Sequence, residues 1–252
     1  MQEIIIPAGP AVLGTNWTVT PVTLGKRMAR SSWFNYLEGG SEPLEIVYRV
    51  WLLRNADALI LVDTGPPVGE AAARGITDIE PVDARLRALS IDPLSIEHIV
   101  LTHLHWDHAS SADLFPNARF YAQRSELEFF TGDAWENSAT SRFFSHRAML
   151  ETLIAKGQVQ PLDGDAWLCP GIQLIKVGGH TPGSQILVVQ TLAGTAVLAG
   201  DAIPMNRNYT EAIPTGILVD LIEVINARKR IRAMQPHSLY TGHDPVECLA
   251  CH

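Results

Sequence analysis

The run His103-Leu104-His105-Trp106-Asp107-His108 puts three imidazoles and a carboxylate within six residues, directly after the apolar stretch Ile99-Val100-Leu101. Neutral imidazole nitrogens and carboxylate oxygens suit a divalent cation of the zinc type, and iron, manganese and cobalt accept the same donors. Alternate side chains of an extended or turning backbone point the same way, so His103 and His105 can converge on one ion. Asp107 and His108, beyond the turn, can face a second. The competing reading is a polar turn with solvated histidines, and it is weakened by the rest of the chain. His180 lies in Gly178-Gly179-His180-Thr181-Pro182-Gly183, Asp201 in Leu198-Ala199-Gly200-Asp201, and His243 in Thr241-Gly242-His243-Asp244-Pro245. Each follows an apolar, strand-like run and sits among glycines that let the backbone bend tightly. Singly each is as compatible with an ordinary turn; the order and the flanks make the set.

The pattern HxHxDH, a later His, an Asp and a last His resembles the metallo-β-lactamase superfamily, with all seven positions met between about Val47 and Asp244. The resemblance implies that His103, His105 and His180 hold one metal ion, that Asp107, His108 and His243 hold another, and that Asp201 bridges them. True β-lactamases of the superfamily commonly carry Cys where this chain has Asp201, so the chain sides with hydrolases similar to glyoxalase II and the lactonases. The implied fold is α/β, a four-layer αβ/βα sandwich of two mixed sheets with helices outside. Sheets apolar on both faces must be covered twice, which is the physical reason for such layering.

Size, ligand set, Trp106 inside the motif and the ending His243-Asp244-Pro245 resemble the N-acyl-homoserine lactonase group, which implies a quorum-quenching hydrolase opening a lactone ring. The implied cofactor is two divalent ions, with zinc favoured. Two cations held close lower the pKa of a shared water from near 16 towards about 7, which makes hydroxide available for attack on a carbonyl carbon. Asp107 would pass a proton to the departing oxygen. Those lactonases commonly have Tyr three residues beyond the bridging Asp, where this chain has Pro204; Tyr209 on the same loop is the candidate to hydrogen-bond the substrate carbonyl.

Two other activities stay open: a glyoxalase II-like thioesterase, which needs basic residues for glutathione carboxylates, and a persulfide dioxygenase, which uses a single iron. Flavodiiron chemistry is disfavoured by His105, where those relatives have Glu. A purely structural zinc site would fill all four positions with protein ligands, usually Cys.

The chain has 252 residues, 46% hydrophobic and 18% charged, enough for one compact domain with a substantial core. No apolar stretch approaches the roughly 20 residues that span a bilayer, and the start lacks the basic region of a signal peptide, so the expectation is a cytoplasmic protein. The formal charge of −8, from 27 acidic and 19 basic residues, argues against a nucleic-acid partner. The expected partner is a small-molecule substrate, and the oligomeric state is left open, a homodimer included. Cys169, Cys248 and Cys251 give an odd count and no disulfide framework. Cys248-Leu249-Ala250-Cys251-His252 spells a haem-attachment motif. Its terminal position speaks for a fraying tail instead.

Hydrophobic patterning predicts strands over Ile46 to Leu53, Ala58 to Val62, Ile99 to Thr102, Ala118 to Ala122, Ile172 to Val177, Gln185 to Val189, Thr195 to Leu198 and Ser238 to Thr241. Helices are expected from Asp83 to Leu89, Ser125 to Phe130, Ser141 to Ile154 and Leu218 to Met234. The segment Gly14 to Pro43 precedes the first convincing core strand and carries Trp17, Trp33, Phe34 and Tyr36; it reads as an inserted loop covering the substrate. Trp106, Phe129, Phe130, Trp135, Phe143 and Phe144 either roof an apolar pocket with it or pack loops onto sheets. Asp63, closing a strand at a Gly turn, and Asp244 either support the metal ligands or bond their own turns. His98, His146, His237 and His252 fall outside the motif.

Overall fold

Alternation along the strands decides which side chain enters which layer. The computed structural model describes residues 2–3, 16–133, 142–143 and 146–251. In chain order the strands are β1 (Gln2–Glu3), β2 (Thr18–Arg30), β3 (Pro43–Arg54), β4 (Leu59–Val62), β5 (His98–Val100), β6 (Arg119–Gln123), β7 (Val159–Leu162), β8 (Ala166–Cys169), β9 (Ile172–Lys176), β10 (Gln185–Thr191), β11 (Gly194–Gly200), β12 (Ser238–Thr241) and β13 (Leu249–Ala250). They form a six-stranded sheet in the order β2-β3-β4-β5-β6-β7 and a seven-stranded sheet in the order β1-β8-β9-β10-β11-β12-β13. Both are mixed: β4, β5, β6 and β7 run parallel, as do β11 with β12 and β1 with β8, and the other pairings are antiparallel.

Trp51 and Leu53 of β3 and Ile60 and Val62 of β4 meet Leu187 and Val189 of β10 and Ala196 and Leu198 of β11 in the layer between the sheets. Val50, Leu52 and Leu61, one residue out of phase, face outward. There they pack under α2 (Val82–Ala88), α4 (Arg124–Thr131) and the helix α5 (Arg147–Ala155), through Leu86, Leu127, Phe130, Leu150 and Leu153. On the other side Ile186, Val197 and Ala199 pack under Ala227 and Ile231 of α7 (Leu221–Ala233), whose first turn is capped by Asp220 accepting from the Glu223 N–H at 2.9 Å. The remaining helices are α1 (Val68–Ala73), α3 (Trp106–Ala109) and α6 (Asn206–Thr210). The four layers follow as expected, each fully buried Leu or Ile contributing about 1.5–3 kcal/mol. The sheets are also joined by polar groups: Gln185 donates to the carbonyls of Leu101 and Tyr121 and accepts from Gln123.

The segment expected to be a covering loop is largely a strand. Thr18–Arg30 is β2, paired antiparallel with β3 over its length and bulged between Thr23 and Gly25. Pro21 and Gly25 interrupt its pattern, but β2 lies at the sheet edge, where a missing N–H and a bulge are tolerated. The 31–42 connection that follows opens with a 3-10 turn, Ser31–Trp33, and then runs irregularly past Phe34. Leu249–Ala250 pairs with β12, so the last residues described are tied to the sheet rather than frayed. Trp135, Phe144, His252 and, of the helix expected from Ser141, residues 141, 144 and 145 lie outside the described residues; the described helix there starts at Arg147, with 142–143 in a turn. Among the described residues no helix is long and apolar enough to cross a membrane.

Candidate metal centre

Strand ends on one edge of the sandwich bring all seven predicted donors together. His103 and His105 follow β5, Asp107 and His108 lie in α3, His180 joins β9 to β10, and Asp201 and His243 follow β11 and β12. Their donor atoms fall into three sets, each mutually within 4.8 Å: His103, His105 and His180; His103, His108 and Asp201; Asp107, His108 and His243. Two loops interlock to place Asp201 beside His243, the Gly242 N–H donating to the Gly200 carbonyl at 3.0 Å. A Cβ at Gly242 would lie 2.1 Å from Asp201 Oδ1, so only glycine fits between them.

Each ring except His105 is oriented by a bond from Nδ1 on its outer side. His180 donates to the Ile217 carbonyl at 2.7 Å, His243 to the Val47 carbonyl at 2.8 Å, His108 to Asp63 Oδ2 at 2.8 Å, and His103 to Thr102 Oγ1 at 3.1 Å. With Nδ1 protonated, Nε2 of these four rings faces inward, where it offers a lone pair to a cation once any proton held there is displaced. His180 Nε2 then lies 3.2 Å from His103 Nε2 and 3.0 Å from His105 Nδ1. Asp63 supports the ligand loop as the sequence suggested. Besides His108 it accepts from the Thr102 N–H at 2.7 Å and the Thr102 hydroxyl at 2.8 Å, from a left-handed backbone with φ of 63°. Asp244 serves its neighbourhood, accepting from the backbone N–H groups of Asn206 and Val246.

Electrostatics fit a cation. Burial, and then repulsion from neighbouring imidazoles, holds His103 and His105 well below the ordinary histidine range, so they stay neutral and able to ligate a cation. Burial also opposes a charge on His108, but Asp107, Asp201 and Asp63 outweigh it and lift His108 to about 10. Asp201 loses solvation, yet His243 and His108 keep its carboxyl well below the usual carboxylate range. His108 Nε2 and Asp201 Oδ1 are buried with no hydrogen-bond partner among the described residues, 3.5 Å apart. Buried polar atoms are nearly always satisfied, and a divalent ion satisfies both of these at once.

A cavity of about 270 Å³ opens above the cluster, lined by His105, Asp107, His180, Asp201 and His243, by Trp33, Phe34, Ile46, Tyr48, Trp106, Phe143 and Ile217, and by Arg27, Arg74 and Arg142. Trp33, Phe34, Trp106 and Phe143 therefore do wall the pocket, and Phe129 and Phe130, which also pack with the outer-face cluster, line a second cavity beside it with His105, His180 and Phe143.

The expected carbonyl clamp, Tyr209, does not line this cavity. Helix α6 turns Asn208 inward, donating to the carbonyls of Phe34 and Ile213, and sends Tyr209 to the outer-face cluster beneath α7. There Arg228 and Arg232 each lie 5.9 Å from its ring, and Cys251 is its hydroxyl's partner. Tyr48 of β3, unnoticed in the sequence because it is one apolar-strand residue among many, lines the cavity instead, 5.4 Å from the His243 ring. Burial, and then Asp107, push its phenol up, so it stays protonated and can donate.

Glu126 was also missed. Fully buried on α4, it accepts from the Leu104 N–H and the Gly183 N–H, both at 2.8 Å, and so clamps the His103–His105 loop to the His180 loop. Burial pushes its carboxyl up to about 7 against those two bonds and a third from the Thr181 hydroxyl. The only sequence signal is a carboxylate on the same helix face as Leu127 and Phe130.

With seven His and Asp donors at strand ends of an αβ/βα sandwich, the architecture is that of a metal-dependent hydrolase scaffold, and residues 47–243 match the model of the metallo-beta-lactamase superfamily, to which the chain belongs. Among its relatives, an N-acyl homoserine lactonase of a Bacillus species is 26% identical over 91% of this chain and 94% of its own length. The N-acyl homoserine lactonase AttM of Azorhizobium caulinodans is 26% identical over 82% of this chain and 86% of its own. The crystal structure of a quorum-quenching N-acyl homoserine lactone lactonase superposes with a TM-score of 0.78 at 25% identity, covering 90% of this chain and 92% of that one.

Proposed function

We propose that this chain is a divalent-metal-dependent hydrolase that opens the ring of an N-acyl-homoserine lactone or a related ester. One observation carries the reading: a cluster of buried His and Asp donors, two of its inward atoms unpartnered, forms the floor of a largely apolar cavity. The lactonase relatives, alike over most of their length, supply the substrate class. His103, His105 and His180 would hold one ion, Asp107, His108 and His243 the other, and Asp201 both; zinc is favoured by the donor types. Bound there, the ions supply a Lewis acid and a water of lowered pKa.

The chain's own groups do the rest. Asp107 Oδ2 lies 3.6 Å from His243 Nε2 and borders the cavity, where it can carry a proton to the leaving alkoxide. The Tyr48 phenol is placed to donate to a carbonyl oxygen above His243. Phe34, Ile46, Trp106, Phe143 and Ile217 exclude water from the acyl part. The test is metal analysis of purified protein together with a proton-release assay across lactones, esters and thioesters. About two ions per chain and ring opening of a lactone are expected, and Asp201→Asn should lose metal and turnover together. One iron per chain with oxygen uptake on a persulfide, or undiminished turnover in the Asn variant, would overturn the reading.

A further inference from the structure

Among the described residues, two of the three guanidinium groups at the cavity have no acidic partner. Arg74 is bound by Glu70, its Nε and Nη2 donating to one carboxylate oxygen at 3.0 and 2.7 Å, and its guanidinium lies 4.3 Å over the Trp106 ring. Arg27 of β2 lies 5.2 Å over the Trp33 ring, donates from Nη1 to the Arg74 carbonyl and also donates to the Tyr48 phenol oxygen. Neither Arg27 nor Arg142 has a carboxylate within ion-pair distance among the described residues, although the chain carries a net charge of −8. An acidic protein that collects uncompensated cations in a cleft with apolar walls focuses a positive potential there. Arg27 spends part of its fork on the Arg74 carbonyl and the Tyr48 phenol, and the N–H groups that remain on Arg27 and Arg142 suit a carboxylate oxygen. A neutral alkyl chain packed against Arg27 would leave its remaining donors desolvated without a partner.

We infer that the substrate carries a carboxylate at the far end of its acyl part, held by Arg27 and Arg142, while the scissile carbonyl rests above the His and Asp cluster. The inference rests on the hydrolase reading and narrows its substrate class to ω-carboxyacyl lactones or esters.

The test is competition binding to the metal-loaded protein with hexanoate and hexanedioate. These acids have equal chain length and share one carboxylate for the metal site, and only the second has another for the arginines. The dianion should bind at least about tenfold tighter at low ionic strength, and the preference should fall to within about twofold in 0.5 M salt. Arg142→Gln and, separately, Arg27→Gln should abolish it, while Arg87→Gln, exposed on α2, leaves it unchanged. Equal affinity for the two acids, weak binding of both, or a preference that survives both cavity substitutions would overturn the inference, the arginines then serving only to brace loops through backbone carbonyls. Rapid opening of a neutral hexanoyl lactone without any dianion preference removes this inference and leaves the hydrolase. Dianion preference in a protein that opens no lactone or ester does the reverse.

Discussion

Replacing Glu126 by Gln separates the clamp between the ligand loops from the ligands themselves. Both carboxyl oxygens accept a backbone N–H at 2.8 Å, from Leu104 and from Gly183, and they retain lone pairs for this even when the group is protonated. Glutamine has one acceptor oxygen. Its amide nitrogen would face the other N–H, leaving a buried donor unpaired at about 1–3 kcal/mol. A second effect runs with pH. Burial raises the carboxyl from 4.5 to about 7, so the native state favours the protonated form. Its contribution to stability is fully present below pH 4.5 and is lost as pH rises through 7, a change of roughly 3 kcal/mol. Urea denaturation of the metal-free protein should therefore show the Gln variant about 1–3 kcal/mol less stable near pH 5, with the gap closed or inverted near pH 8. Other titrating groups cancel in the difference. A gap that is the same at both pH values, or no gap near pH 5, would refute the clamp argument. Metal affinity measured alongside should fall at least about tenfold if the clamp holds the loops in register.

Asp63→Asn puts an amide N–H where His108 and the Thr102 hydroxyl now donate, so metal affinity should drop about 10- to 100-fold with the fold retained; unchanged affinity would remove the supporting role. Tyr48→Phe should lower kcat/KM for the best lactone about tenfold or more, whereas Tyr209→Phe, beneath α7, should leave kinetics unchanged, and the opposite pattern would put the clamp back on Tyr209. Gly242→Ala drives a methyl group into Asp201 Oδ1 and the Gly200 backbone, so titration with metal should reveal a weakened site; wild-type affinity would show that the two loops separate freely. Leu187→Ala in the layer between the sheets should cost about 2–5 kcal/mol by chemical denaturation, and a loss under 1 kcal/mol would mean that the layer collapses around the gap.

Much of the site was legible because its parts are local. His103 to His108 is a contiguous run, and His180, Asp201 and His243 each follow an apolar strand and a glycine, so strand ends deliver them wherever the strands pair. Short apolar runs bounded by turn residues likewise exposed β3, β4, β10 and β11. β2 was hidden because Pro21 and Gly25 break its pattern, and only pairing with β3 shows that the sheet edge accommodates both.

The sequence alone determined the donor types and their order, which suit a divalent cation, and its resemblance to the metallo-β-lactamase superfamily implied the layered fold. Tertiary structure alone decided the walls and the supports. Whether Tyr48 or Tyr209 reaches the cavity depends on strand facing and on the turn of α6, and Glu126 finds the Leu104 and Gly183 amides only after α4 docks between two loops. Arg27, Arg74 and Arg142 become neighbours only when an edge strand, a helix end and a distant segment close on one cavity. Such groups are scattered along the chain, and their orientation is set by packing, which no local pattern encodes.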